Sequence, residues 1–340
     1  MAGSNGLPSF SISDEKYMKR RNFLRSAVLL GAGSALQRAW AQAYPGRPIK
    51  IVVGFGAGGS GDVTMRIAAE KLAPRLGQSV VVENRPGAGG ITAAQQVLQS
   101  KSDGYTLMLG ASSNMAMLPT LFKNVPFDTS RDFAPVSLVA KFGFLIAVNS
   151  SLKIASVADL IREAKANPGK INIGSITIGS APHVGVELFK SVAGIDCVTV
   201  PFKSSGEVVS AVRSGEVQVA LDNIPPLLPH VQSGALRAIA MTTAARFPLL
   251  PDVPTVLESG LNYEMTSWNG IVAPKGTPTD ILDLLNREVR AVVEMPDVIE
   301  KYRAIGVVAT GSTRQEYQSL IEREIIAWRK ILEIAKVQAN

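Results

Sequence analysis

Residues 49–62, Ile-Lys-Ile-Val-Val-Gly-Phe-Gly-Ala-Gly-Gly-Ser-Gly-Asp, set an apolar run directly before a cluster of glycines and an acid. A strand that breaks into glycines and then opens a helix suits an anion. Glycines let main-chain N–H groups come close to a ligand, and the helix N-terminus behind them carries partial positive charge. Gly54, Gly56 and Gly59 satisfy G-x-G-x-x-G, and Glu83 ends a second apolar run 24 positions after Gly59. That is close to where a dinucleotide fold places the acid that holds the ribose. The same physics suits any small anion, so the glycines alone leave the ligand open.

A second junction of this kind is Ser175-Ile-Thr-Ile-Gly-Ser-Ala-Pro-His183. Ser180 can cap a helix there, and Pro182 fits the first turn. In open α/β sheets ligands sit beyond the carboxyl ends of strands, where such loops gather. Two helix N-termini facing each other would hold an anion with main-chain donors, and neither loop contains an arginine. Asp222 follows the run Val217–Leu221 and either faces the same cleft or forms an Asx turn in Leu-Asp-Asn-Ile-Pro. His183 could serve as a base, but no G-x-S-x-G elbow accompanies it. His183 and His230 are the only histidines and neither has a neighbour at metal-ligand spacing. The single cysteine, Cys197, cannot form an intrachain disulfide and is expected to pack as a small apolar residue.

The elements that must position these residues alternate between strand and helix. Helical spacing runs from about Asp62 to Leu76 and stops at Gly77. Short apolar runs at Val80–Val82, Tyr105–Leu109, Gly143–Val148, Lys170–Gly174, Val198–Val200 and Val217–Leu221 predict strands, and further helices start at Ser156 and Glu207. Trp268-Asn-Gly-Ile-Val-Ala273 predicts a strand that returns from the second unit, and two long helices close the chain, one behind the capping box Thr313-x-x-Glu316. Alternation of this kind argues for parallel α/β sheets. The predicted fold class is α/β, with two domains. Its two mostly parallel sheets are joined by crossing strands at 143–148 and 268–273. Domain 1 is expected over 44–145 and 266–340, and domain 2 over 146–265.

Residues 1–43 are set aside as a leader and export signal. Arg20-Arg21-Asn-Phe23-Leu24 resembles a twin-arginine export motif. The apolar run from Ala27 to Leu36 is too short to span a bilayer, and Ala39-Trp-Ala41 fits a cleavage site. The first 41 residues hold six Lys and Arg and two acids, or +4 of the formal +7, so the rest of the chain carries only +3. Its basic residues are scattered without a stripe, which argues against nucleic acid as a partner.

Longer motifs resemble one family. Tyr44-Pro-Gly-Arg-Pro-Ile-Lys-Ile-Val-Val53, Gly56-Ala-Gly-Gly59 with Asp62, and Val81-Val-Glu-Asn-Arg-Pro-Gly-Ala-Gly-Gly90 carry the likeness. So do Asp103-Gly-Tyr-Thr-Leu107, Ala164-Lys-Ala-Asn-Pro-Gly-Lys170, His183 with Glu187-Leu-Phe-Lys190, Leu250-Pro-Asp-Val-Pro-Thr255, Trp268-x-Gly270 and Ala273-Pro-Lys-Gly-Thr-Pro278. Together they resemble the Bug family, the extracytoplasmic solute receptors of tripartite tricarboxylate transporters. The resemblance implies a two-domain periplasmic binding protein that closes like a flytrap, a non-enzymatic, monomeric receptor without metal or cofactor that captures a small carboxylate and delivers it to membrane transporter subunits. It implies ligand contacts from the main chain of Phe55, Gly56, Ala57, Gly58, Gly59 and Ser60, and from Ser175, Ile178, Gly179, Ser180 and His183. Ser113 and Asp222 are the added candidates. The second loop departs from the usual Ser-Ala-Gly-x-Gly-Thr, with Ile176 and Ile178 in place of small residues, which suggests a ligand less polar than a di- or tricarboxylate. The alternative is an exported dinucleotide oxidoreductase that uses Gly54, Gly56, Gly59 and Glu83.

Overall fold

The computed structural model describes residues 1–3 and 44–334, so the leader and its arginine pair lie outside the described residues. Ten strands are present there: β1 (Ile49–Val53), β2 (Val80–Asn84), β3 (Thr106–Ala111), β4 (Phe133–Asn149), β5 (Asn172–Ile176), β6 (Val198–Phe202), β7 (Val219–Asn223), β8 (Leu236–Met241), β9 (Thr266–Pro274) and β10 (Val308–Ala309). The longer helices are α1 (Ser60–Leu76), α2 (Ile91–Leu98), α3 (Val157–Ala166), α4 (Ala181–Ala193), α5 (Ser205–Ser214), α6 (Ile224–Gln232), α7 (Thr279–Val293), α8 (Pro296–Ala304) and α9 (Arg314–Ile334).

Two sheets share β4. In the first, β1 pairs in parallel with β2 and β3, β9 runs antiparallel between β3 and β4, and β10 adds to β4. In the second, β5 pairs in parallel with β6 and β7, and β4 runs antiparallel to β7 and β8. The alternation read from the sequence is therefore the right class, but the sheets are mixed rather than mostly parallel, because β4 and β9 run against their neighbours. The crossing strands differ from expectation. β4 is 17 residues long, beginning ten residues before the predicted strand, and its first half pairs with β9 while its second half pairs with β7 and β8. β9 stays within the first sheet, and just before it Met265 N donates to Thr242 O, next to the end of β8. Polar and imino residues in Phe133-Ala-Pro-Val-Ser-Leu hide the start of β4. Pro135 sits where the register with β9 shifts, a bulge that tolerates the missing N–H.

Local sequence accounts for most boundaries. Gly77 takes the left-handed conformation (φ 66°) that ends α1. Ser156, Ser180 and Ser204 each accept a bond from an N–H three residues on, at Asp159, His183 and Glu207. Thr313 and Glu316 form the expected reciprocal box, with Glu316 N donating to Thr313 Oγ1 at 3.1 Å and Thr313 N to Glu316 Oε2 at 2.8 Å. Both β5 and β7 start two residues later than read, so their carboxyl ends fall at Ile176 and Asn223.

A cleft between two strand-to-helix loops

The end of β1, the first turn of α1 and the end of β3 meet the loop after β5 and the end of β7 across a narrow cleft. Phe55, Gly59, Ser60, Gly61, Ala111 and Ser113 line it from one side, and Ile176, Ser180, Ala181, Pro182 and Asn223 from the other. Phe142, Ser267 and Asn269 close its base from β4 and β9. About 30 Å³ is left for the centres of water molecules, room for roughly two or three of them.

The first loop is held by a relay of hydrogen bonds. Gly58 N donates to Asp62 Oδ2 at 3.0 Å, Arg66 Nε to Asp62 Oδ1 at 2.9 Å, Arg66 Nη2 to Asn84 Oδ1 at 2.9 Å, and Asn84 Nδ2 to Phe55 O at 3.1 Å. Burial works to raise the pKa of Asp62, but the bonds from Arg66 and Gly58 outweigh it and keep the carboxyl ionised below the usual range. Gly54 packs its Cα face on the backbone of Gly90, where an added Cβ would lie 2.7 Å from Gly90 Cα. The relay leaves the α1 terminus open. Gly59 caps it without a side-chain bond, and the first intrahelical bond runs from Val63 N to Gly59 O at 3.0 Å. The N–H groups of Ser60, Gly61 and Asp62 are the unpaired donors that every helix start leaves, and here two of their residues line the cleft.

The second loop is built differently. Ser180 N donates to Thr177 O at 2.9 Å, Ser180 Oγ donates to Ile176 O at 3.1 Å, and it accepts from His183 N at 3.3 Å. Pro182 has no N–H to offer. Only Ala181 N remains free in the first turn of α4.

Of the residues expected at the site, Phe55, Gly59, Ser60, Ser113 and Ser180 line the cleft. Gly56 instead abuts Ser204, Ala57 and Gly58 are exposed, and Gly58 spends its N–H on Asp62. Ser175 is fully buried, with Oγ bonded to Ile176 O at 3.3 Å. Gly179 turns with φ 84° against Phe122 and Gly89. Ile178 is 47 % exposed and outside the lining, so its bulk does not make the cleft less polar as its sequence position suggested. His183 is half-buried with Nδ1 unpartnered, and burial holds its pKa below the usual histidine value, so it is neutral at pH 7. Asp222 is fully buried behind the cleft, where burial pushes its pKa up to about 6. Its Oδ1 accepts from Asn223 N at 2.7 Å and Asn223 Nδ2 at 2.8 Å.

Asn223, on the opposite face of β7, takes the cleft position that the sequence reading gave to Asp222. Asn269, Ser267 and Phe142 were also missed. Strand parity is the signal that could have found Asn223, but an all-buried parallel strand shows no alternation in its residue types. Asn269 is the unspecified residue of the Trp268-x-Gly270 motif.

The chain matches the model of the tripartite tricarboxylate transporter family receptor over residues 64–337. It belongs to that family. The Bug-family resemblance drawn from the motifs is therefore correct, and family membership makes the chain a solute-binding receptor rather than an enzyme. Protein BugT of Bordetella pertussis is 36 % identical over 294 residues, covering 86 % of this chain and 90 % of the relative. The solved structure of R. palustris Rpa4515 with adipate is 36 % identical, with a TM-score of 0.83, over 86 % of this chain and 98 % of the other. MatC from Rhodopseudomonas palustris with bound malate is 27 % identical, with a TM-score of 0.81, over 85 % and 100 %. The dinucleotide alternative falls with this assignment. Glu83 is moreover engaged by Lys50 at 2.6 Å and by Arg85, which hold its pKa at about 2. Among the described residues no helix is long and apolar enough to cross a membrane.

Proposed function

We propose that this receptor captures a small carboxylate at the N-terminus of α1, outside the cytoplasm, and delivers it as a monomer to the membrane subunits of a tripartite transporter. The observation that carries the reading is the open first turn of α1. Three N–H groups without partners open the helix, and two of their residues, Ser60 and Gly61, line a cleft that Ser113 also lines, in a receptor whose relatives were solved with adipate and with malate. Such a terminus favours negative charge through its dipole and its free donors together. The two sheets, joined through β4, act as two lobes that close on the ligand, with 44–145 and 266–340 forming one and 146–265 the other. The loops at 55–60 and 175–183 meet across the closed cleft, and the leader directs export by the twin-arginine route.

A melting-temperature panel of mono-, di- and tricarboxylates, adipate and malate included, tests this. At least one member at 100 times its Kd should stabilise the protein by about 2.7 kcal/mol, the mass-action gain for a ligand that binds only the folded state. A panel that leaves the melting temperature unchanged throughout, at millimolar concentrations, overturns the reading. Export is tested separately with Arg20→Lys and Arg21→Lys, which should together abolish the processed periplasmic form.

A further inference from the structure

The two sides of the cleft offer unlike groups, and the difference specifies more of the ligand. On the α1 side the free groups are donors: the N–H groups of Ser60, Gly61 and Asp62. On the α4 side the main-chain donors of the residues that line the cleft are largely consumed. Ser180 N and His183 N are bonded within the turn, Pro182 has none, and α6 begins Ile224-Pro225-Pro226, which removes two more N–H groups from the terminus behind Asn223. Ala181 N is the free donor left at the first turn of α4, while Thr177, Ile178, Gly179 and Ile224 lie outside the lining of the cleft.

What this side does present is an acceptor. Asp222 Oδ1 receives both Asn223 N and Asn223 Nδ2. A carboxylate oxygen in this position can only accept, so the amide nitrogen of Asn223 must face it. That fixes the carboxamide the other way round at the cleft, with Asn223 Oδ1 free of any hydrogen bond among the described residues. Asn269 repeats the device from β9. Thr64 Oγ1 spends its proton on Ser60 O at 2.6 Å and so must accept from Asn269 Nδ2, at 2.9 Å. Asn269 Oδ1 is thereby left as a second unpaired acceptor. Asn223 and Asn269 are 5 % and 2 % exposed, so little water reaches them when the lobes are together.

We propose that the receptor selects a carboxylate that also carries a hydrogen-bond donor, a hydroxyl or an ammonium group, read by Asn223 Oδ1 and supported by Asn269. This deepens the carboxylate-receptor reading and rests on it. A second, ionised carboxylate at Asn223 would set acceptor against acceptor, whereas a ligand lacking the donor would bury the carboxamide oxygen unpaired.

The test is a set of matched pairs, measured by calorimetry on the wild-type protein: propionate against lactate, succinate against malate, succinate against aspartate, and glutarate against 2-hydroxyglutarate. In at least one pair the hydroxy or amino member should bind tenfold tighter or more. Asn223→Ala should reduce that preference to less than threefold, with the ligand-free melting temperature checking that the variant folds. If that variant does not fold, the wild-type pairs still decide. Deoxy members that bind as tightly as their partners in every pair overturn this inference and leave the carboxylate-receptor reading standing. No binding by any of the acids overturns both.

Discussion

Asp222→Asn should stabilise this protein at alkaline pH and do almost nothing at acid pH. Asp222 is fully buried, and no neighbouring charge contributes to its shift. Burial raises its pKa from 3.8 to about 6, and the groups at Ser205 and Asn223 lower it only in part. Oδ2 has no partner of good geometry, and neither has Ser205 Oγ nearby. In the native state the carboxyl keeps its proton to a higher pH than in the unfolded chain. Between about pH 4 and 6 the native state therefore binds more protons, so stability falls as pH rises through that window and is flat above it. A shift of about two units corresponds to roughly 3 kcal/mol at 1.36 kcal/mol per unit. Asparagine keeps the Oδ1 that Asn223 bonds and places an NH2 group where Oδ2 stood, facing Ser205 Oγ. It cannot ionise, so the variant should melt about 6 °C above wild type at pH 8, taking about 2 °C per kcal/mol for a chain of this size. The gap should shrink to roughly 2 °C at pH 4.5, because the unfolded pKa of 3.8 leaves about a third of the effect there, and vanish only at about pH 3. Thermal unfolding of both proteins without ligand at pH 8, 6 and 4.5 measures it. A melting difference that is constant across this range, or a variant less stable than wild type at pH 8, would refute the reasoning.

Three further outcomes are expected. Gly54→Ala should cost about 1–3 kcal/mol in urea unfolding, because the new Cβ would lie 2.7 Å from Gly90 Cα, backbone that cannot swing aside; wild-type stability in this variant would show that the two loops are not tightly packed. Arg75→Ala removes the guanidinium that meets Glu288 Oε2 at 2.7 Å and ties α1 to α7. With Glu288 only 7 % exposed and Arg75 about a third exposed, the loss should be roughly 1–2 kcal/mol, and a denaturation midpoint equal to wild type would count against that pair. Cys197 is 3 % exposed and burial pushes its thiol up to about 11, so it should resist dithionitrobenzoate in the native protein and react fully in denaturant; rapid native labelling would contradict its packing.

How much of this was legible beforehand follows from the range of the forces involved. Gly77, Ser156, Ser180 and the Thr313–Glu316 box are local devices, complete within four residues, and each was readable in one dimension. The glycine run was equally local. It announced an anion-friendly helix start, and the family motifs settled what sort of receptor surrounds it. Three things were not local. The start of β4 disguised itself with Pro135 and Ser137, because a bulged strand shared between two sheets needs no alternating pattern. Ile178 was expected to contact the ligand and, with Ile176, to make the pocket less polar, yet it sits 47 % exposed beside the turn at Gly179 and only Ile176 lines the cleft. The exchange of Asp222 for Asn223 followed from the strand ending two residues later than its apolar run suggested, on a strand buried on both faces.

The sequence by itself determined the α/β class, the family and the open donors of α1, because glycines, caps and apolar runs act on their own neighbourhoods. The tertiary structure alone decided which side chains meet at the cleft and which way they face. Asn223 points its oxygen at the cleft only because Asp222, a fully buried carboxylate, claims its nitrogen, and Asn269 does the same only because Thr64, 205 positions away, has already given its proton to Ser60.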